Sequence, residues 1–570
     1  MDSTEEFKPR VTESDSDHEG SLANEKNLSS PYESNDASKV HSFVGMTGSK
    51  LNYAISIFAG VGFLLFGYDQ GVYGSLLALE SFEKQFPSIK ASNNSTLQGA
   101  VIGVYELGCL VSAVSTVYLG DKLGRLKCMF LGCFIVLIGA ALQASAFTVV
   151  HLAIARVVTG FGTGYLTSTV PVWQAELSKA KSRGKLIMME GSLIALGIAI
   201  SYWIDFGFYF IDANTNDTRG ISWRLPVAFQ MIFPIMLLPV LFKLPESPRW
   251  LMTQGRVQEA RGVFSALFNL PEGDEKITDQ LTEIQSALDL EKTSKESFGF
   301  TDFFKQGPAR TFHRLSLGCW AQIFQQISGI NLITYYAGTI FQNYIGMSPF
   351  NARILAACNG TEYFLASLFG IYFIERLGRR PLLFWGAIGQ ALVMMALTIA
   401  GWKAQQAKDQ GRSGTSAGIA AAFFLFAFNS VFSVSYLGGT WLIPSEIGSI
   451  QSRSAIAALS TACNWGFNFM VVMITPIAFE SINYYTYTIF AVINALMAPA
   501  VYIFFVETKG RSLEELDFIF NQCPVFEPWK VVSIEKHTPK RTYAEDDVND
   551  IEKVKVEHID NLSSDSLIAR

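Results

Sequence analysis

Charge is scarce in this chain. Only 16% of its 570 residues are Asp, Glu, Lys or Arg, against 49% hydrophobic residues and 45 Phe. A water-soluble domain needs more charge than this to cover its surface. Cysteine is scarce too. There are seven, an odd number, and all but Cys523 lie in or beside apolar runs. That pattern excludes a disulfide framework and leaves them as small packing residues. No cluster has the spacing of metal ligands or of a catalytic nucleophile and its base, so neither a metal site nor an enzyme is expected. The acidic, Ser-rich start has no basic stretch followed by a short apolar core, so it does not read as a signal peptide. The formal charge of −6 arises largely in two polar ends, roughly 1–50 and 507–570, which argues against a nucleic-acid partner.

What is present is a series of long apolar runs. Crossing a bilayer takes about 20 apolar residues per helix. Twelve runs meet that length, near 52–76, 98–119, 127–147, 150–173, 186–210, 224–244, 314–343, 351–374, 382–402, 417–443, 454–479 and 485–506. The pattern predicts an all-α membrane protein of two six-helix bundles, 51–244 and 314–506. A polar linker at 245–313 is expected to carry short surface helices, of which 257–264 is one amphipathic example. The ends, 1–50 and 507–570, have few aromatics and are expected to be disordered cytosolic tails open to kinases or ubiquitin machinery.

Three charge patterns recur once per half. Gly120-Asp121-Lys122-Leu123-Gly124-Arg125-Leu126-Lys127 returns as Ile374-Glu375-Arg376-Leu377-Gly378-Arg379-Arg380-Pro381. Glu176 with Arg183 seven residues on returns as Glu446 with Arg453. Glu246 and Arg249, after the sixth run, return as Glu507 and Arg511 after the twelfth. Anchoring of helix ends by basic residues explains single patterns but not three repeats at similar offsets. Duplicated bundles joined in one chain are a common plan for secondary transporters. The basic turns point to the cytosol, with both termini on that side, although Lys403, Lys408 and Arg412 run against the count. Two sequons, at Asn94 and Asn216, then fall in outer loops as candidate glycosylation sites.

These repeats resemble the sugar porter family of the major facilitator superfamily over roughly residues 50–520. Further marks are Phe66-Gly67-Tyr68-Asp69, Arg156 before Gly160-Phe161-Gly162-Thr163-Gly164, Gln325-Gln326-Ile327-Ser328-Gly329-Ile330-Asn331 with Tyr335-Tyr336, and Asn464-Trp465. Val506 stands where the last motif usually has Pro. The resemblance implies the major facilitator fold and alternating access. The charged turns, Asp121, Arg125, Glu176, Arg183, Glu246, Arg249, Glu375, Arg379, Glu446, Arg453, Glu507 and Arg511, would form a cytosolic gating network. Exposed pairs are worth only about 0–1 kcal/mol each, but a network of them can bias two states.

Asp69 and Arg156 fall inside apolar runs, where a lone charge costs roughly 2.5–3.5 kcal/mol. They read as a proton-coupling pair or as a permanent structural ion pair. Gln325, Gln326, Asn331 and Asn464 offer donors and acceptors to hydroxyl ligands or to one another between helices, and Trp441 and Trp465 offer flat apolar faces. Hexose carriers of the family usually have Gln, Asn and Glu where this chain has Gly191, Tyr363 and Ser433. Those departures, with the new acid Glu190, suggest a smaller or differently shaped ligand. The segments 183–192, 202–207 and 464–476 are similar to fungal glycerol/proton symporters. The expectation is a plasma-membrane symporter of glycerol or a related polyol with a proton, needing no cofactor. A hexose carrier is the main alternative, and a transport-inactive sensor of the same fold a further one. Glu106, Asp205 and Glu362 are additional acids within the runs, with roles left open.

Overall fold

The computed structural model describes residues 40–539, apart from 179, 215–216, 218, 294–306, 308, 345–346, 412–414, 450–451 and 512. Apolar runs in a bilayer must satisfy their backbone groups internally, which leaves the helix as the open solution for single segments. Eleven helices among the described residues are long and apolar enough to span: Gly48–Leu76, Asn93–Leu123, Arg125–Ala144, Val149–Leu177, Gly184–Asp212, Ile221–Leu241, Pro349–Leu377, Arg379–Ala407, Ser416–Ile447, Arg453–Ile482 and Tyr485–Phe504. A further crossing, between the sixth and seventh of these, is broken into Thr311–Ile327 and Ile330–Thr339. Counting it as span seven gives twelve spans. The expectation of an unbroken seventh run differs because Gly329 leaves the helical region at φ 100°. Span ten bends similarly where Leu437 N donates to Phe432 O, five residues back, before Gly438.

Within the first half, span one packs on span five, and span four on spans two and three. In the second half, span nine packs on ten and twelve, seven on eleven, and eight on ten. The halves meet along two seams, span two on eleven and span five on eight.

The repeated turn has the same geometry in both halves. Gly124 links spans two and three at φ 86°, ψ 175°, and Gly378 links spans eight and nine at φ 95°, ψ 172°. A side chain is strained there, and space is short as well. A Cβ on Gly124 would stand 2.8 Å from Glu246 Oε2, and one on Gly378 would collide with Glu507. These carboxylates lie so close because they cap the following helices. Glu246 accepts from the backbone N–H groups of Arg125 (3.2 Å) and Leu126 (3.1 Å). Glu507 accepts from those of Arg379 (3.0 Å) and Arg380 (3.1 Å). An anion on the free N–H groups of a helix start is favoured by hydrogen bonding and by the helix dipole. Each cap ties the exit of span six or twelve to the entry of span three or nine.

The linker holds helices Pro248–Thr253, Val257–Phe268 and Glu275–Thr293. The middle one buries Ala260, Val263, Phe264 and Leu267, one face of a 3.6-residue period. The tails depart from expectation at their inner ends. Residues 40–47 lie against the linker, where His41 N donates to Ser265 Oγ at 3.1 Å. The segment after 507 is not wholly disordered: helices Leu513–Gln522 and Lys530–His537 dock on the bundle. Leu513, Leu516, Ile519 and Phe520 form a fully buried stripe that average composition conceals. Arg511 holds Glu535 at 2.9 Å, and Arg310 Nε donates to Cys523 O at 2.6 Å. All seven cysteines are free.

Gly124→Ala and Gly378→Ala are each expected to cost about 1–3 kcal/mol through left-handed strain and displacement of the carboxylate cap. The thermal midpoint of detergent-solubilised protein should fall in both. Gly207→Ala, with nothing within 4 Å, is the control and should leave it unchanged. Equal midpoints in all three would contradict the cap.

Candidate functional site

Midway along span seven, next to its break, side-chain amides converge. Gln325 donates to the carbonyls of Tyr436 (3.2 Å) and Leu437 (2.9 Å) at the bend of span ten. Gln326 donates to Asn464 Oδ1 at 2.8 Å, and Asn464 donates to Gln325 Oε1 at 2.7 Å. Asn331 donates to Gln326 and, at 2.8 Å, to Asn468 Oδ1. Three members were not anticipated. Gln322 accepts from Asn464 at 2.6 Å, Asn468 closes the group from span eleven, and Gln70 of span one donates across the bundles to Asn331 Oδ1 at 2.7 Å. Their signal was spacing: Gln322 is three residues before Gln325 and Asn468 four after Asn464, so each shares its partner's helix face.

Aromatic rings border this cluster. Trp441 stands edge-on to Phe63 at 5.3 Å, and Trp465 to Phe66 at 4.9 Å. Trp465 Nε1 donates to Thr167 Oγ1 of span four at 3.2 Å, a second link between halves. Glu190, expected among the ligand contacts, stands apart. It is buried on span five, its oxygens bond to none of the amides, and its neighbour Gly191 meets the bend of span ten.

Asp69 and Arg156 are both fully buried, yet they form no direct ion pair. Of the two readings, the permanent ion pair lacks its direct contact here, although the two charges remain electrostatic neighbours. The Arg156 guanidinium is taken by Ile102 O, with Nη2 at 2.8 Å and Nε at 3.2 Å. It also lies over the rings of Tyr73 (4.3 Å) and Tyr105 (5.1 Å). Asp69, Glu106 and Tyr335 share this neighbourhood: Asp69 faces the Tyr105 hydroxyl and Glu106 that of Tyr335, each contact longer than an ordinary hydrogen bond. Two buried acids, one guanidinium and three phenols make a place where a proton can reside.

The charged turns lie on one membrane face, here the basic face. Arg125 grips Glu176 with two bonds, 3.0 and 3.1 Å, and reaches Asp121 at 3.6 Å. Arg249 donates to the carbonyl of Glu176 at 3.0 Å. In the second half Arg379 holds Glu446 at 3.2 Å and Glu375 at 3.4 Å. Most of the expected network therefore bonds within a half, because each acid and base descends from one repeat. Glu246 and Glu507 are caps, and Arg511 has turned to the C-terminal helix. Burial pushes the Glu246 carboxyl up, opposed by the Ser247 N–H, the Arg125 guanidinium and the N–H groups of Leu126 and Arg125. The bonds between halves are fewer. Glu375 Oε1 accepts from Lys185 N at 3.0 Å, and Arg453 is an electrostatic partner of Glu176. The Arg183 side chain lies outside the described residues, as does Asn216. Asn94 is exposed, and its Oδ1 accepts from Leu97 N at 2.8 Å.

Toward the opposite face the halves are bonded as well, the Trp203 link lying deeper in the membrane than the other two. Arg353 donates to Ala78 O at 2.7 Å, Trp203 to Thr361 at 2.8 Å, and Ser95 to Glu480 at 2.6 Å.

Residues 55–520 match the model of the sugar (and other) transporter family. The chain is a sugar porter of the major facilitator superfamily. It is 38% identical over 512 residues to the sugar transporter STL1 of Saccharomyces cerevisiae, covering 88% of this chain and 86% of that one. It is 31% identical to the high-affinity glucose transporter 1 of Candida albicans, covering 81% and 84%. Among solved structures, the porter superposes on the proton:xylose symporter XylE bound to 6-bromo-6-deoxy-D-glucose with a TM-score of 0.72, at 26% identity over 83% of this chain and all of the other. The score falls to 0.59 for the inward-open conformation of XylE from E. coli, at 27% identity over 82% and 99%. The difference accords with the closed basic face. The relatives are transporters, and the porter is a multi-pass membrane protein.

Removing the bonds between halves should free the basic face. In a Cys358→Ser background, a cysteine at Ile187, which is 1% exposed, should react slowly with a maleimide supplied from that face. Adding Glu375→Ala and Arg453→Ala should raise that rate severalfold, as expected for losing links worth about 1 kcal/mol each. An unchanged rate in well-folded protein would show that these residues do not hold the face shut.

Proposed function

We propose that this porter moves glycerol or a similarly small polyol together with a proton, by alternating access across the plasma membrane. The basic face would be cytosolic, as would both termini. The observation that carries the substrate reading is the contact at Gly191. A Cβ there would stand 2.9 Å from Gly438 Cα, so span five and the bend of span ten touch through backbone. The Gln that hexose carriers usually place there has no room. The other two departures act in the same sense. Tyr363 fills its place with a buried ring 6.3 Å from Phe432, and Ser433 spends its hydroxyl on Ser430 O at 2.9 Å.

The remaining amides bond one another at 2.6–2.8 Å for the best-formed links. A polyol enters by exchanging those links for its own hydroxyls, one donor and one acceptor at a time. Three hydroxyls can be matched by Gln326, Asn331 and Asn464. Because Gln70 donates to Asn331, the same exchange alters a bond between the halves, which connects occupancy to bundle movement.

The coupling reading rests on Asp69, Glu106 and Arg156, and draws support from the proton:xylose symporter as a structural neighbour. With the halves bonded to each other toward both faces, Arg156 is turned to Ile102 O and the tyrosine rings rather than to Asp69. That arrangement fits a proton carried on the acid during occlusion. Loss of the proton would draw Arg156 toward Asp69 and away from span two, shifting the preferred state.

Asp69→Asn is expected to abolish accumulation of labelled glycerol against a gradient while sparing exchange. Continued concentration of glycerol with alkalinisation of the medium would refute the coupling. In wild-type protein, glucose at equal concentration should inhibit glycerol uptake poorly. Two or three unmatched hydroxyls weaken hexose binding by roughly a hundredfold. Strong inhibition by glucose, or glucose as the better substrate, would establish the hexose alternative.

A further inference from the structure

One acid that the central site does not use lies nearer the outer surface. Asp205 of span five is 1% exposed, and neither of its carboxyl oxygens has a hydrogen-bond partner. About 10 Å of helix separates it from Asp212. The Asp212 carboxyl accepts from the N–H groups of Glu80 and Ser81, at 3.0 and 3.1 Å, at the outer end of the bundle. Span eight runs antiparallel beside span five. A Cβ on Gly360 would stand 3.0 Å from the Tyr202 ring, and nearer the outer surface Phe206 meets Phe350 at 5.6 Å. Asp205 and Arg353 both fall between these two contacts.

Arg353 is placed to answer that acid. Its guanidinium lies over the ring of Tyr209 at 4.5 Å, and Tyr209 is one helical turn from Asp205 on the same face. Nη1 donates to Pro349 O at 3.0 Å and Nη2 to Ala78 O at 2.7 Å, while Nε has no hydrogen-bond partner. Asp205 and Arg353 are electrostatic neighbours. The other titratable groups nearby are engaged. Tyr68 of span one neighbours Asp205 but donates its hydroxyl to Pro226 O at 2.7 Å, and Tyr202 donates to Thr334 O. Asp212 and Glu83 face Arg353, but the first is the cap just described and the second pairs with Lys90 at 2.7 Å.

A buried carboxylate without a donor is unfavourable, so the neutral acid is the form that fits this arrangement. Loss of its proton creates a charge to which the unfilled Nε of Arg353 can turn. Ala78 and Asp205 belong to the first half and Arg353 to the second, so this bond adds to the closure between them. We propose that Asp205 is a second proton-binding site, reached from the outer medium when the seam parts, and that Arg353 reads its state. Deprotonated, Asp205 draws Arg353 in and holds the outer seam shut. Protonated, it leaves the seam to the bond at Ala78 O. Acid outside therefore favours the conformer that admits substrate, and alkali favours closure. The inference rests on alternating access and not on coupling at Asp69.

The test uses full-length protein in lipid nanodiscs, with spin labels at Phe147 and Lys403 at the outer ends of spans three and nine. Lowering the pH from about 8 to about 5 should raise the long-distance population over the short one by about tenfold, the effect of losing one charge-assisted hydrogen bond. Asp205→Asn should keep the long-distance population high at both pH values, and Asp205→Glu should restore the response. Arg353→Gln should abolish the response with Asp205 still in place. Asp69→Asn should lose accumulation of glycerol yet keep the outer response, which separates the two acids. A wild-type protein that responds in this way without accumulating glycerol would refute the coupling and leave the role of Asp205 standing. The proposal is overturned if Asp205→Asn or Arg353→Gln responds to pH as wild type does, if Asp205→Asn favours the short distance, or if Asp69→Asn alone removes the response.

Discussion

The architecture depends on a carboxylate set against the start of a helix, used twice. Glu246 binds the first N–H groups of span three and Glu507 those of span nine, each across a glycine that no other residue replaces without strain. The cap fixes where span three or nine begins, and so where Arg125 or Arg379 stands. Each arginine then meets a buried glutamate on the neighbouring span, Glu176 or Glu446. Breaking a buried pair by removing one partner typically costs about 3–5 kcal/mol, so each half is firmly bonded at its basic end.

Against that stiffness the seams between halves are lightly bonded. On the basic face the described links include one backbone N–H on Glu375 and the attraction of Arg453 for Glu176. On the opposite face they are a few single hydrogen bonds, such as Arg353 to Ala78 O. At about 0.5–1.5 kcal/mol net apiece, either set can be exchanged within the few kcal/mol that separate conformers of a working transporter. Strong bonds inside the halves and weak ones between them are what rigid-body rocking requires. The amide cluster lies between the two sets, with Gln70 contributed by one half and most of the rest by the other.

Much of this was legible in the sequence because the repeats carry charge into places where charge is expensive. The spans followed from apolar length, and four members of the amide cluster, Gln325, Gln326, Asn331 and Asn464, from the family motifs on two apolar helices. What was not legible depended on direction rather than identity. Gln70, beside Asp69, gave no sign that it would reach span seven. Glu246 and Glu507 carry the same charge as Glu176 and Glu446, and only the backbone path shows that they cap helices instead of bridging. Arg156 was expected to face Asp69, but a carbonyl and two rings compete for the same guanidinium. The stripe at Leu513, Leu516, Ile519 and Phe520 was hidden by the polar residues around it. Gly191 could be seen to lack a hydroxyl partner, yet its backbone contact with Gly438 is a property of the packed helices alone.

The most direct measurement is a pair of distances recorded together in reconstituted protein. Spin labels at Lys122 and Arg376, both exposed at the basic ends of spans two and eight, report one face, and labels at Phe147 and Lys403 report the other. Rigid halves rocking about a central site predict two populations for each pair, changing in opposite directions as glycerol and external pH are varied. A single unchanging distance on either face, or both faces opening together, would contradict it.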